Sequence, residues 1–150
     1  MQWNEYFLRV ANLVAQKSKD RHKKIGAVIV GEGHEIRSTG FNGFPRGVDD
    51  DVDARHERPA KYAWTEHAER NAIYNAARNG THTNGTTLYL SCWYPCADCA
   101  RAVIQAGIAR IVCSRSWKNK LNSRWTESCN IGMEMLHEAG VICETSDVEL

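Results

Sequence analysis

The chain is expected to fold as an α/β domain, a sheet with helices on both faces, and three features of the sequence point there. Short apolar runs rich in β-branched residues alternate with longer segments of helical periodicity. After an opening hairpin the order is helix, strand, helix, strand, helix, strand, which demands crossover connections and a largely parallel sheet. No internal repeat, low-complexity tract or linker interrupts the 150 residues, so one domain over 1–150 is expected.

Apolar positions Trp3, Phe7, Leu8, Val10, Ala11, Val14 and Ala15 recur at helical spacing and predict a first helix. Residues 17–24 are polar and basic. Ile25-Gly26-Ala27-Val28-Ile29-Val30 reads as a buried strand, Gly31-Glu32-Gly33 as a turn and 35–41 as its hairpin partner. Residues 42–65 show no period. Gly43, Pro45, Gly47 and Pro59 punctuate them, Asp49, Asp50, Asp51 and Asp53 crowd them, and a loop this long is usually functional. Alanines and other good helix formers predict a helix over 68–78, stopped by Asn79-Gly80. A strand over 86–90 follows. Pro95 opens a helix over 96–106 that Gly107 ends. Residues 108–113 read as a strand, 127–139 as a helix ended by Gly140, and 141–144 as the last strand.

Hydrophobic residues at 43% and charged residues at 25% fit a soluble globular protein. No apolar run approaches the ~18 residues of a membrane span. The first residues lack the basic region and apolar core of a secretory signal, so a cytoplasmic location is expected. A net charge of +1 argues against a dedicated nucleic-acid binder. In a reducing compartment the six cysteines are not expected to form disulfides.

The chemistry concentrates in His67-Ala68-Glu69 and, further on, Pro95-Cys96-Ala97-Asp98-Cys99. One imidazole and two thiols make three zinc ligands, and a zinc site with three protein ligands keeps a position for water. Both segments fall at helix starts, where the dipole favours thiolates, and the i, i+3 spacing of Cys96 and Cys99 puts both sulfurs on one face. Glu69, two residues from His67, is the carboxylate that such a water needs as proton acceptor. This H-x-E…P-C-x-x-C arrangement is the pattern of zinc-dependent base deaminases. One zinc per chain is therefore expected, held by His67, Cys96 and Cys99, with Glu69 as general acid and base. Cys92 would close the site as a fourth ligand and is read as a non-ligand; Cys113 and Cys143 are read as packing residues. Arg70 has two readings, a charge turned toward the thiolates or a partner of Glu66 at i, i+4. The cluster Lys17, Lys19, Arg21, Lys23 and Lys24 suits a phosphate or is a solvated face. Trp93, Tyr94 and Trp117 are candidates to stack on a flat base or belong to the core.

Beyond the zinc pattern, the sequence resembles the deoxycytidylate deaminase family within the zinc-dependent cytidine deaminase superfamily. The resemblance runs from about Val10 to Cys143 and is carried by Ala15-Gln16-Lys17-Ser18-Lys19-Asp20, by Gly40-Phe41-Asn42-Gly43-Phe44-Pro45-Arg46-Gly47, by His67-Ala68-Glu69-Arg70-Asn71-Ala72-Ile73 and by Gln105-Ala106-Gly107-Ile108. It implies a three-layer α/β/α fold around a five-stranded mixed sheet, and hydrolysis of dCMP to dUMP and ammonia for thymidylate synthesis. It further implies a homo-oligomer, often a hexamer, and regulation by dCTP, bound with Mg2+, and by dTTP. By the same analogy Asn42 contacts the sugar, while Ser18, Lys19 and Arg115-Ser116-Trp117 lie near the 5′-phosphate or base. Arg70 departs from the family, in which Leu or Met is common at that offset, and is expected to tune the metal. The zinc pattern is also shared by deaminases of cytidine, dCTP, guanine and adenine in transfer RNA. A non-catalytic zinc-stabilised binding domain remains a third class; it would need a fourth ligand and tolerate loss of Glu69.

Overall fold

A computed structural model describes residues 1–150. Helix α1 (Trp3–Ala15) leads into the hairpin of β1 (Gly26–Val30) and β2 (Ile36–Phe41). Two one-turn helices, α2 (Asp53–His56) and α3 (Lys61–Trp64), precede α4 (Ala68–Asn79). Then come β3 (Thr87–Leu90), α5 (Ala97–Gln105), β4 (Arg110–Ser114), a 3-10 segment Arg115–Lys120, α6 (Ser123–Glu138) and β5 (Ile142–Ser146).

The five strands lie in the order β2-β1-β3-β4-β5. β1 is antiparallel to both neighbours, whereas β3, β4 and β5 are mutually parallel. The sheet is thus mixed, as expected. Strand β1 is buried along its whole length, which is why it reads as an unbroken apolar run rather than an alternating one. Its alternate residues serve two layers. Val28 and Val30 join Tyr89 and Val112 beneath Phe7, Leu8 and Ala11 of α1. Ala27 and Ile29 join Leu88, Leu90, Ile111 and Cys113 beneath α4, α5 and α6, which contribute Ala72, Val103 and Leu136.

Two helices sit unusually close to the sheet because a strand residue lacks a side chain. A Cβ on Gly26 would lie 1.9 Å from the Ala11 carbonyl oxygen, and one on Gly40 would lie 2.3 Å from the Ala72 nitrogen and 2.4 Å from the Ala68 oxygen. Ser38 tightens the second contact by donating to the Ala72 carbonyl at 2.6 Å. Helix α4 cannot move away without losing that seat, so Gly40→Ala is expected to lower stability by about 1–3 kcal/mol, the usual cost of overpacking. A urea midpoint unchanged from wild type would contradict it.

The structure differs from the expected elements in two places. Residues 42–65 contain α2 and α3, each too short to show a hydrophobic period. Helix α6 begins at Ser123 rather than 127, because the Asn122 side chain caps it, accepting from the Arg124 backbone N–H at 3.0 Å. That first turn carries polar residues and gives no apolar signal.

Topology also decides where a site can form. Because β1 alone is reversed, β2, β3 and β4 end at one edge of the sheet. The segments after those three strands converge there, together with the segment entering β1. Such an edge is where α/β sheets hold ligands.

Candidate active site

His67 is the residue before the first turn of α4 and Cys96 the residue before the first turn of α5. Both helices start at the same edge, so the imidazole meets the sulfurs. His67 Nδ1 lies 3.6 Å from Cys96 Sγ and 3.4 Å from Cys99 Sγ, and all three donor atoms fall within 4.8 Å of one another. Tetrahedral zinc bonds of ~2.0–2.3 Å place donors roughly 3.5 Å apart, so these three fit zinc. The other cysteines stand outside the group: Cys92 Sγ turns to the Trp93 carbonyl and Cys129 Sγ to the Tyr94 carbonyl.

Glu69 is buried, 6% exposed, with Oε2 3.6 Å from Cys99 Sγ. Burial pushes its carboxyl above the usual range, against the attraction of His67. In the metal-free protein the two thiols share a proton. A hydrogen bond from Cys99, helped by His67 and opposed by burial, draws the Cys96 thiol down to about 4. Holding that proton for Cys96, and burial, push Cys99 well up. Burial works against the His67 cation, but the Cys96 hydrogen bond and the Glu69 charge raise its pKa on balance.

Neighbouring groups hold these side chains in place. Glu66 Oε1 accepts from the His67 backbone N–H at 3.0 Å, fixing the start of α4. The Ala97 N–H donates to Ser128 Oγ at 2.9 Å, and Gly132 of α6 lies so close to Pro95 that a Cβ would sit 2.8 Å from its carbonyl oxygen. Trp125 packs edge-on to the His67 ring at 5.4 Å. A cleft opens over Glu69 and the donors, with walls that include Asn42, Tyr62, Trp93, Tyr94, Trp117 and Trp125.

Residues 1–115 match the model for the cytidine and deoxycytidylate deaminase zinc-binding region. The chain belongs to this deaminase family. An uncharacterized deaminase of Aliivibrio fischeri is 40% identical over 139 residues, covering 93% of this chain and 90% of that protein. Human deoxycytidylate deaminase is 41% identical over 117 residues, 75% of this chain but 64% of the human protein. The dCMP deaminase of cyanophage S-TIM5, solved in complex with dCMP and dUMP, superposes with a TM-score of 0.75 at 26% identity over 95% of each chain.

Not every expected contact of this deaminase lies in the cleft. Asn42 lines it, with its side-chain oxygen accepting from Ile25 N–H and its amide donating to the Lys23 carbonyl, both at 2.8 Å. One amide hydrogen and one lone pair remain for a ligand. Trp117 also lines the cleft. Ser18 does not: it is buried and donates to the Asn42 carbonyl at 2.7 Å, bracing that residue from behind. Lys19 faces a separate cavity and pairs with Asp50 at 2.9 Å. The turn at Asp20, whose carboxylate accepts from the His22 and Lys23 backbone N–H groups, sends Lys19 and Lys23 to different sides. Arg115 pairs with Asp147 at 3.0 Å, away from the cleft. Both readings of Arg70 hold in part. Its Nε donates to Glu66 at 2.6 Å and its other end lies 3.6 Å from Asp98, while Cys99 and Cys96 still raise its pKa against burial.

Sequence reasoning missed Arg58, Lys61 and Tyr62, which enter the cleft from the segment without periodicity, and Trp125, which lies ahead of the expected start of α6. The signal for Trp125 was available: Asn122 is a helix cap and the next residues are compatible with a helix.

Proposed function

We propose that this chain hydrolyses the exocyclic amine of dCMP, giving dUMP and ammonia. The observation that carries it is the three-donor group His67, Cys96 and Cys99, open toward a cleft in which Glu69 is the buried carboxylate. The human relative and the S-TIM5 enzyme, named for dCMP deamination, support the choice of substrate. When bound, zinc supplies Lewis acidity, lowering the pKa of water at the open position toward ~7. Glu69 takes a proton from the attacking water, passes it to the cytosine ring nitrogen, and returns a proton to the departing amine. A carboxyl whose pKa is raised by burial suits both halves of that cycle. Asn42 offers its remaining hydrogen-bonding positions to the sugar, and the aromatic walls exclude water and flank a flat base. Arg70 reduces the negative charge of the thiolates through space and steadies His67 through Glu66.

Further parts of this reading are a homo-oligomer of hexameric type, a cytoplasmic location, and control by dCTP, with Mg2+, and by dTTP. A second cavity lined by Phe41, Gly43–Val48, Lys19 and Asp50 supports the effectors. No helix is long and apolar enough to cross a membrane. The deciding experiment measures ammonia release from dCMP, dCTP, deoxycytidine and guanine by the zinc-loaded protein, with and without dCTP and dTTP. Turnover of dCMP above the others is expected. Stoichiometric zinc with no turnover on the panel would instead leave a binding domain.

A further inference from the structure

The chemistry at Glu69 does not use the polar mouth of the cleft. Four basic side chains meet there from distant segments: His22 and Lys23 lie ahead of β1, Arg58 ahead of α3, and Lys61 begins α3. Apart from Glu69 in the interior, Asp20 is the only carboxylate lining the cleft, and it is committed to Lys61. Lys61 Nζ lies 3.0 Å from Asp20 Oδ2 and 3.1 Å from Oδ1. The same ammonium lies 3.1 Å from His22 Nδ1, so the neutral ring carries its proton on Nε2 and has a donor to spare. Lys23 Nζ reaches only the Lys120 carbonyl at 2.9 Å and the face of Trp117 at 5.7 Å. Arg58 is exposed and pairs with no carboxylate.

With His22 neutral, three fixed cations face one anion. The mouth is left two positive charges in excess, against about −1.5 to −2 on a phosphate monoester at pH 7. Lys61, burial and Arg58 together hold His22 below its ordinary value, an independent sign of a positive field. Lys61 is only 8% exposed, and a buried lysine clamped by its partner is oriented before a ligand arrives. A merely solvated basic face needs no such clamp.

We propose that His22, Lys23, Arg58 and Lys61 form an anion site for the 5′-phosphate of a nucleoside monophosphate, with Arg58 and Lys61 setting the preference for nucleotide over nucleoside. This assignment rests on dCMP being the substrate at Glu69, and it moves the phosphate away from Ser18 and Lys19. One phosphate matches the excess charge. A triphosphate leaves its outer charges without partners.

The test compares zinc-loaded wild type, Arg58→Gln, Arg58→Glu and the remote charge-loss control Arg9→Gln on dCMP and deoxycytidine. The ratio of kcat/KM for dCMP over deoxycytidine is expected to fall about 10–100-fold in Arg58→Gln, the range for one hydrogen bond to a charged group. It falls further in Arg58→Glu and holds in Arg9→Gln. An unchanged ratio in both Arg58 variants overturns the assignment. Calorimetric titration with inorganic phosphate needs no turnover and separates this site from the reaction. Saturable binding to wild type that is lost in Arg58→Glu supports it even if dCMP is not deaminated. No phosphate binding to wild type overturns it even if dCMP is deaminated.

Discussion

Glu69→Gln is expected to lose at least ~10²-fold in turnover while keeping its zinc, and, once zinc is stripped by a chelator, to melt at a higher temperature than wild type. The two effects share one cause. Glu69 is buried with few partners for its charge, which lifts its carboxyl pKa. A carboxyl raised in the folded state binds its proton more tightly there than in the unfolded chain. Its contribution is therefore fully favourable below the unfolded value near ~4.3 and is lost as pH climbs through the folded value. Glutamine keeps the shape and stays neutral at every pH. The melting-temperature gap between variant and wild type should be small near pH 4, widen as pH rises and then level off. Near wild-type turnover would remove Glu69 from the reaction. A gap that narrows with rising pH would show that the surroundings stabilise the ionised carboxylate, the opposite of a burial penalty.

What could be read before the structure was known follows from how locally each feature is encoded. The hairpin and the alternation after it are local, since β-branched runs, Gly31-Glu32-Gly33 and the stop at Asn79-Gly80 each carry their own signal. The grouping of His67, Cys96 and Cys99 was legible for a similar reason: a histidine before one helix and a cysteine pair in the first turn of another need only a shared sheet edge to meet. The rest of the cleft is not local. Lys61 reaches the mouth because Asp20, 41 positions earlier, draws it in, and nothing in either neighbourhood announces that pair. Ser18 and Lys19 were expected at the phosphate because they are polar and neighbour a basic run. Composition cannot tell which side of the turn at Asp20 each one faces. Gly40 and Gly132 likewise look unremarkable in the sequence, and their value is the close approach of α4 and α6.

Cys96→Ala should abolish turnover, lose bound zinc and lower the melting temperature of protein prepared with zinc. Removing one of three donors leaves His67 and Cys99, and a pair cannot hold a tetrahedral ion against the buffer. Zinc binds the folded chain far better than the unfolded one, so its loss reaches stability by mass action. About 4 kcal/mol goes when the ion had been at a thousandfold excess over its Kd, on the order of 10 °C for a domain of this size. The shift should vanish when wild type and variant are compared in chelator, because the core beneath α5, with Val103 and Ile111, does not depend on the metal. Proton counting gives a separate check. In the metal-free wild type near pH 6, Cys96 is already ionised at about 4, whereas Cys99 and His67, both raised, hold protons that must leave when the ligands bind. Zinc added to stripped wild type at that pH should release close to two protons, measured by the buffer dependence of the heat of binding. Retention of one zinc by Cys96→Ala would exclude Cys96 as a ligand. Binding without proton release would mean that His67 and Cys99 do not both hold the ion.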